Sequence, residues 1–200
     1  MRYCWRIIHK NQFVLFNRAS YLKMSNINID RELFGKYYKA LCYYAWDMVK
    51  DTDVAEDLVQ DAFTAYWNHR DEVANEEQSI KAFLYSSIRN AVFNRSRHQK
   101  VVDKYFSRLG LTELEEADYD RKIITAEFYA ELNRILSTLP TGCRQVFHLS
   151  YMEELSNQQV ADELHISINT VKTQKQRALK VIRQNLNPEF MVLFLTLYFC

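Results

Sequence analysis

Glycine and proline are nearly missing from this chain, with 3 Gly and 2 Pro in 200 residues. Sheet-rich folds turn often and tightly, and Gly and Pro supply the backbone angles for those turns. Their scarcity argues against a many-stranded fold and predicts long helices joined by short links. It also leaves no Gly-rich loop to cradle a phosphate, which argues against a nucleotide-binding enzyme. Cysteine is sparse and scattered. Cys4, Cys42, Cys143 and Cys200 form no C-x-x-C pair, so no metal site is expected, and no cofactor either. Each reads as an isolated thiol in a reducing, cytoplasmic compartment. No apolar run reaches the roughly 18–20 residues that span a bilayer, so no membrane insertion is expected. The most apolar stretch runs from Phe190 to Cys200. It reads as a helix or tail packing on the last domain, or else as an exposed patch for a partner.

A strong charge of either sign is also lacking, because 26 Lys and Arg face 25 Asp and Glu. The distribution is informative where the sum is not. No acidic residue occurs between Glu163 and Glu189, a stretch that holds Lys172, Lys175, Arg177, Lys180 and Arg183. A second basic run is Arg89, Arg95, Arg97, His98 and Lys100. Between them lies an acidic segment with Glu113, Glu115, Glu116, Asp118 and Asp120. Two basic faces separated by an acidic connector point to nucleic acid. Near the start, Arg6, His9 and Lys10 interrupt the apolar residues of 1–24. That excludes a signal peptide and makes Met24 the expected natural start, with 1–26 an N-terminal extension.

Periodicity predicts an all-α chain of two small domains. Leu33, Phe34, Tyr37, Leu41, Tyr44, Ala45 and Met48 make one helical stripe. Asp53 and Glu56 read as a capping box for the next helix, with Leu58, Val59, Ala62, Phe63, Tyr66 and Trp67 on its core side. Residues 71–79 are polar and aperiodic, hence a loop. Ser79 is the expected cap of a third helix with Ile80, Phe83, Leu84 and Ile88 inward. These elements define a domain over 27–100. Residues 101–124 read as an acidic linker with partial helix, and 125–187 as a second helical domain. In the latter, helices are expected over Ala126–Leu136 and from about Thr141 to Met152, followed by a helix capped by Ser156. An apolar tail, 188–200, closes the chain.

Ser156 and Gln159 form a second capping box, His165-Ile166-Ser167 makes a turn, and Ser167 caps the next helix. Its inward face would be Val171, Ala178, Leu179 and Ile182. A short helix, a tight turn and a longer basic helix make a helix-turn-helix. Asn169, Thr170, Lys172, Thr173, Gln176 and Arg177 are the side chains placed to reach base edges and phosphates. Lys175, Lys180 and Arg183 are expected to add salt-dependent phosphate attraction.

Three parts of the chain carry a family resemblance. Leu139-Pro140, Cys143–Phe147, Leu155–Ala161, Ile166–Lys172 and Arg177-Ala178-Leu179 resemble the C-terminal promoter-reading domain of sigma-70-family factors. Ala55-Glu56-Asp57-Leu58-Val59-Gln60-Asp61-Ala62-Phe63 resembles the family's region 2.2. Phe83-Leu84-Tyr85, Arg89-Asn90 and Asn94-Arg95 resemble the helix after its −10 loop. There is no room for regions 1.1 and 3, which is the layout of the extracytoplasmic-function group. The apolar tail and aromatic first helix are similar to Bacteroides-type members. The resemblance implies a non-enzymatic factor that binds core RNA polymerase and promoter DNA, with a membrane-anchored anti-sigma factor as a further partner and no small-molecule substrate. It implies that Asp57, Gln60 and Asp61 dock on the polymerase clamp helices. It implies that Asn75 and Ser79, with Arg89, Asn90, Arg95 and Arg97, serve the −10 element. Asn169, Thr170, Lys172, Thr173, Gln176 and Arg177 would serve the −35 element. The acidic linker resembles the segment that threads the RNA exit path. The turn of the helix-turn-helix usually carries Gly where this chain has His165.

Two other classes are weighed against this. A response-regulator-type activator shares the Ile168–Thr173 pattern, but nothing before residue 100 alternates strand and helix, and Asp57–Phe63 has no use there. An enzyme would draw on His69 and Asp71, or on Glu153 and Glu154, yet no nucleophile–base pair or metal spacing stands out.

Overall fold

A computed structural model describes residues 27–103 and 116–199. No strand occurs among them, as the scarcity of turn formers predicts. The helices are α1 (Ile27–Val49), α2 (Thr52–Asn68), α3 (Glu77–Asp103), α4 (Glu116–Thr138), α5 (Thr141–Phe147), α6 (Asn157–Leu164), α7 (Ile168–Asn185) and α8 (Pro188–Phe199), with a π-helical turn at His148–Met152. The chain divides into two compact units, with the change falling between Glu127 and Phe128, inside α4. Residues 1–26, including Met24, lie outside the described part, as do 104–115 of the acidic connector and Cys200.

In the first unit α1, α2 and α3 pack on one another around Leu41, Tyr44, Val59, Phe63, Leu84 and Ile88, all essentially solvent-free. Phe34 reaches the Phe63 ring at 4.9 Å, and Tyr44 meets Tyr85 edge-on at 4.9 Å. Such rings bring large buried area and favour these tilted contacts. Cys42 sits in this core, where burial pushes its thiol pKa up to about 12. It stays protonated and acts as a small apolar side chain.

Helix starts correct two expectations. The cap of α2 is Asp51, not Asp53. Its backbone is extended (φ −128, ψ 128), and its carboxylate accepts from the Val54 N–H at 3.0 Å. Asp53 is already inside the helix, where no first-turn N–H comes within its reach. Likewise Ser79 does not cap α3. The Ile80 N–H donates to the Glu76 carbonyl at 3.1 Å, so helical bonding is under way before Ser79.

The acidic connector is helical at its C-terminal end, since α4 opens at Glu116. Tyr119 is buried against Phe93. Lys122 bonds Asp47 at 2.9 Å, and Lys81 pairs with Glu127 at 2.6 Å. Burial acts to raise the Asp47 pKa, but hydrogen bonds from Lys122 and Lys50 outweigh it and hold the carboxyl below its usual value.

The second unit has two cores. Phe128, Leu132, Ile135, Phe147, Ala178, Ile182 and Phe194 form the larger, and Val146, Val160, Ala161 and Val171 the smaller. Helix α8 packs Phe190, Met191, Leu193 and Tyr198 on the larger core while Val192, Leu195 and Leu197 stay exposed. The expected single helix over 141–152 is not uniform. After Phe147 the turn widens, with the Glu153 N–H donating to the His148 carbonyl five residues back at 3.2 Å. Glu154 then takes a left-handed backbone (φ 58) that ends the helix.

Candidate functional site

The helix-turn-helix is built from local bonds that can be followed one by one. Ser156 caps α6 with its hydroxyl on the Gln159 N–H at 3.3 Å, and Gln159 Oε1 accepts the Ser156 N–H at 2.9 Å. This is the expected reciprocal box. At the far end His165 is left-handed (φ 52, ψ 44). The Ile166 N–H reaches the Ala161 carbonyl at 3.0 Å and the His165 N–H reaches Asp162 at 3.4 Å. That pair of bonds is a Schellman motif, and Ile166 adds its apolar contact by packing on the smaller core. Ser167 then caps α7, accepting the Thr170 N–H at 3.1 Å.

Once α7 is so fixed, its faces are set. Val171, Ala178 and Ile182 are fully buried. Asn169, Thr170, Lys172, Thr173, Gln176 and Arg177 are all exposed. Two of them have local duties: the Thr170 hydroxyl meets Ser167 Oγ at 2.9 Å, and Thr173 Oγ1 donates to the Asn169 carbonyl at 2.9 Å. Lys180 and Arg183 are exposed further along. Lys175 is not with them. Its ammonium lies 4.8 Å over the Tyr151 ring and bonds Asn157 Oδ1 at 3.2 Å, and burial lowers its pKa. The reason is spacing: 175 follows Val171 by four and precedes Ala178 by three, so it stands on the inward stripe. Lys175 braces α7 against α6 and the π turn instead of facing outward.

On α2, Asp57 and Asp61 are exposed and Gln60 is half-exposed. Asp53 and Thr64 extend the same strip. Beside it Glu56 is partly buried, and its pKa is raised by that burial and then by Asp53 and Asp57.

The third group is dispersed. Asn75 is exposed in the loop between α2 and α3, and Ser79 is half-buried in the first turn of α3. Asn90 is exposed on the same side as Ser79, about 20° away around the helix. Arg95 is exposed too, but about 140° from Asn90. Arg89 is half-covered, with its guanidinium 5.5 Å over the Tyr119 ring. Arg97 falls near the end of α3, and its side chain lies outside the described part. Ser79 and Asn90 therefore share one side of α3, about 16 Å apart along its axis, Arg89 is shielded by α4, and Arg95 faces elsewhere.

The sequence did not disclose what holds the loop. Arg70 pairs with Asp30 at 3.0 Å. Glu77 accepts from Tyr37 at 2.7 Å and from Lys36 at 2.5 Å. Partners some forty residues apart leave no local signal. The nearest clue was Asp30, a charge at a position that α1 turns inward.

Comparisons with known proteins agree with this layout. A family model described as Sigma-70 region 2 matches residues 33–101. One described as Sigma-70, region 4 matches residues 129–182. The chain is 26% identical over 161 residues to the ECF RNA polymerase sigma factor SigL of Mycobacterium tuberculosis, covering 78% of this chain and 88% of that protein. It is 27% identical over 185 residues to the ECF RNA polymerase sigma factor SigW of Bacillus subtilis, covering 88% and 98%. Among solved structures, the sigma factor RpoE in complex with the anti-sigma factor NepR from Bartonella quintana is matched with 23% identity over 80% of this chain and 98% of that one, at a TM-score of 0.35. With both regions matched in order and these relatives matched over most of their length, the chain belongs to the sigma-70 family of RNA polymerase sigma factors, in its extracytoplasmic-function group.

Proposed function

We propose that this sigma factor divides its work among three surfaces. The exposed strip of Asp57, Gln60 and Asp61 docks on core RNA polymerase. A short acidic and amide face suits a basic partner and steers its approach. The loop carrying Asn75, with Ser79 and Asn90 of α3, takes the −10 element and Arg97 supports it, while Arg95, on another side of the helix, contacts the DNA backbone flanking that element. Arg89 joins them once its contact with Tyr119 opens. Unstacking a base costs a few kcal/mol, which a shaped loop with nearby cations offsets. The first half of α7 enters the major groove at the −35 element through Asn169, Thr170, Lys172, Thr173, Gln176 and Arg177. The observation that carries this reading is the exposure of all six α7 side chains on a helix whose opposite face is buried and whose start is fixed by a cap and a Schellman turn.

Among the described residues no helix is long and apolar enough to cross a membrane. We place the protein in the cytoplasm, with an anti-sigma factor anchored in the membrane as its regulator. Recovery of polymerase subunits alone in a pull-down from membranes would count against that partner. The division of roles is tested by transcription with core polymerase and mapping of start sites. Arg177→Ala should lower −35-dependent initiation about tenfold or more, the value of one good base contact, and leave polymerase binding intact. Asp61→Ala should weaken polymerase binding instead. Unchanged promoter-specific transcription in both variants would refute the assignment.

A further inference from the structure

The loop between α2 and α3 has both ends tied to one face of α1. The Ala65 and Tyr66 carbonyls bond the His69 N–H at 3.0 and 3.2 Å and close α2. The Glu72 N–H then donates to the His69 carbonyl at 2.9 Å, so the chain turns back at once. From inside that turn Arg70 reaches Asp30, with its Nη1 at 3.0 Å from Oδ1 and 3.3 Å from Oδ2. At the other end Glu77 is held by Tyr37 and Lys36. Asp30 and Tyr37 are seven residues apart on α1. They therefore share a face and stand roughly 10 Å apart along the axis. Between the two ties Asp71, Glu72, Ala74, Asn75 and Glu76 are exposed.

The Arg70–Asp30 pair is a poor way to add stability. Asp30 is the one charged residue in the buried class among those described, and its Oδ1 accepts no hydrogen bond although Nη1 is near. Removing such a pair from water costs about as much as the attraction returns, and apolar side chains of similar size often serve as well. What an ion pair does provide is a fixed position. An apolar contact would let the turn slide, whereas Arg70 must end where the carboxylate is.

We propose that Asp30, Arg70 and Glu77 are positioning residues that hold the loop ends at a set spacing for selective use of the −10 element. This rests on the reading of that loop as the −10 surface. None of the three touches the base; they act through the loop between them.

The test uses the full chain with core polymerase on a promoter mapped for the unaltered protein. Transcription is measured from the native sequence, from single-base changes in its −10 element, and from changes in its −35 element. Asp30→Leu combined with Arg70→Met removes both charges and leaves no buried ion alone. Glu77→Ala, at an exposed position, frees the other end without touching the core. Each is expected to lower −10 discrimination, the double variant about tenfold and Glu77→Ala about threefold. The −35 discrimination and polymerase affinity should stay within twofold. Retention of the native −10 discrimination by either folded variant overturns the proposal, as does equal loss at −10 and −35. Asn75→Ala separates the two levels. If it also leaves −10 discrimination intact, the loop reading fails and takes the proposal with it. If it abolishes discrimination while the other variants keep it, the loop reading stands and the clamp alone is wrong.

Discussion

The left-handed residue between α6 and α7 sets where the recognition helix points, and here it is His165 rather than glycine. A β-carbon in that conformation costs roughly 1–2 kcal/mol, less for His than for branched residues. Glycine avoids the clash but gives up more backbone entropy on folding, roughly 0.5–1 kcal/mol. His165 is exposed, so truncation sacrifices no core contact. His165→Gly should therefore stabilise the second unit by about 0.5–1 kcal/mol. For a unit of this size that is about 2–8 °C in melting temperature. His165→Val, branched at the β-carbon, should move it the other way by about 1–2 kcal/mol. Thermal unfolding of the full chain would show the shift. Hydrogen exchange at the Ile166 amide, bonded to Ala161, would locate it in the helix-turn-helix. A lower melting temperature for His165→Gly, or no penalty for His165→Val, would refute the claim that this φ of 52 controls the turn.

Three further perturbations follow from the same unit. Lys172→Ala should reduce the slope of log affinity against log salt on −35 DNA by about one, as expected for one lost phosphate contact. Lys175→Ala should leave that slope unchanged and instead lower the melting temperature, because its ammonium lies on Tyr151; a slope change in Lys175→Ala would show that this residue reaches DNA after all. Burial lowers the His148 pKa, with Glu153 opposing it. A histidine held below its unfolded value contributes stability that is fully present above about pH 6.5 and is lost as pH falls through that value towards the folded pKa. The urea midpoint should thus drop between pH 7.5 and 5.5 more in the native chain than in His148→Gln, and equal drops would exclude His148 as the cause.

The helix-turn-helix was readable because the bonds that cap its helices and close its turn are local. Ser156 meets Gln159, Ser167 meets Thr170, and Ile166 meets Ala161. Residue spacing alone encodes those contacts, so both caps and the turn were visible in the sequence. The same logic explains the error at Asp53. Two aspartates two residues apart, Asp51 and Asp53, both suit a cap, and only the extended backbone at Asp51 decides between them. The tight embrace of α4 was hidden for a different reason. Its first turns are acidic, and Ile123 and Ala126, which follow Tyr119 at helical spacing, make only a short stripe that does not say what covers it. The partners of Tyr119 are Phe93 and Arg89, which lie on another helix.

By sequence Lys175 counts among the outward cations, but its position on the helix turns it inward. A count of cations between Glu163 and Glu189 treats all five as one face, yet a helix turns about 100° per residue and cannot present them together. Position 175 falls in the 171–175–178–182 stripe that faces the core. A lysine can occupy such a site because its four-carbon stem packs while its ammonium finds a ring and an amide oxygen. The consequence reaches the function. With Lys175 turned inward, the outward charge on the first half of α7 comes from Lys172 and Arg177 alone, among Asn169, Thr170, Thr173 and Gln176. Such a surface is better suited to choosing among base edges than to gripping any duplex, since phosphate affinity scales with the number of cations and base selectivity does not.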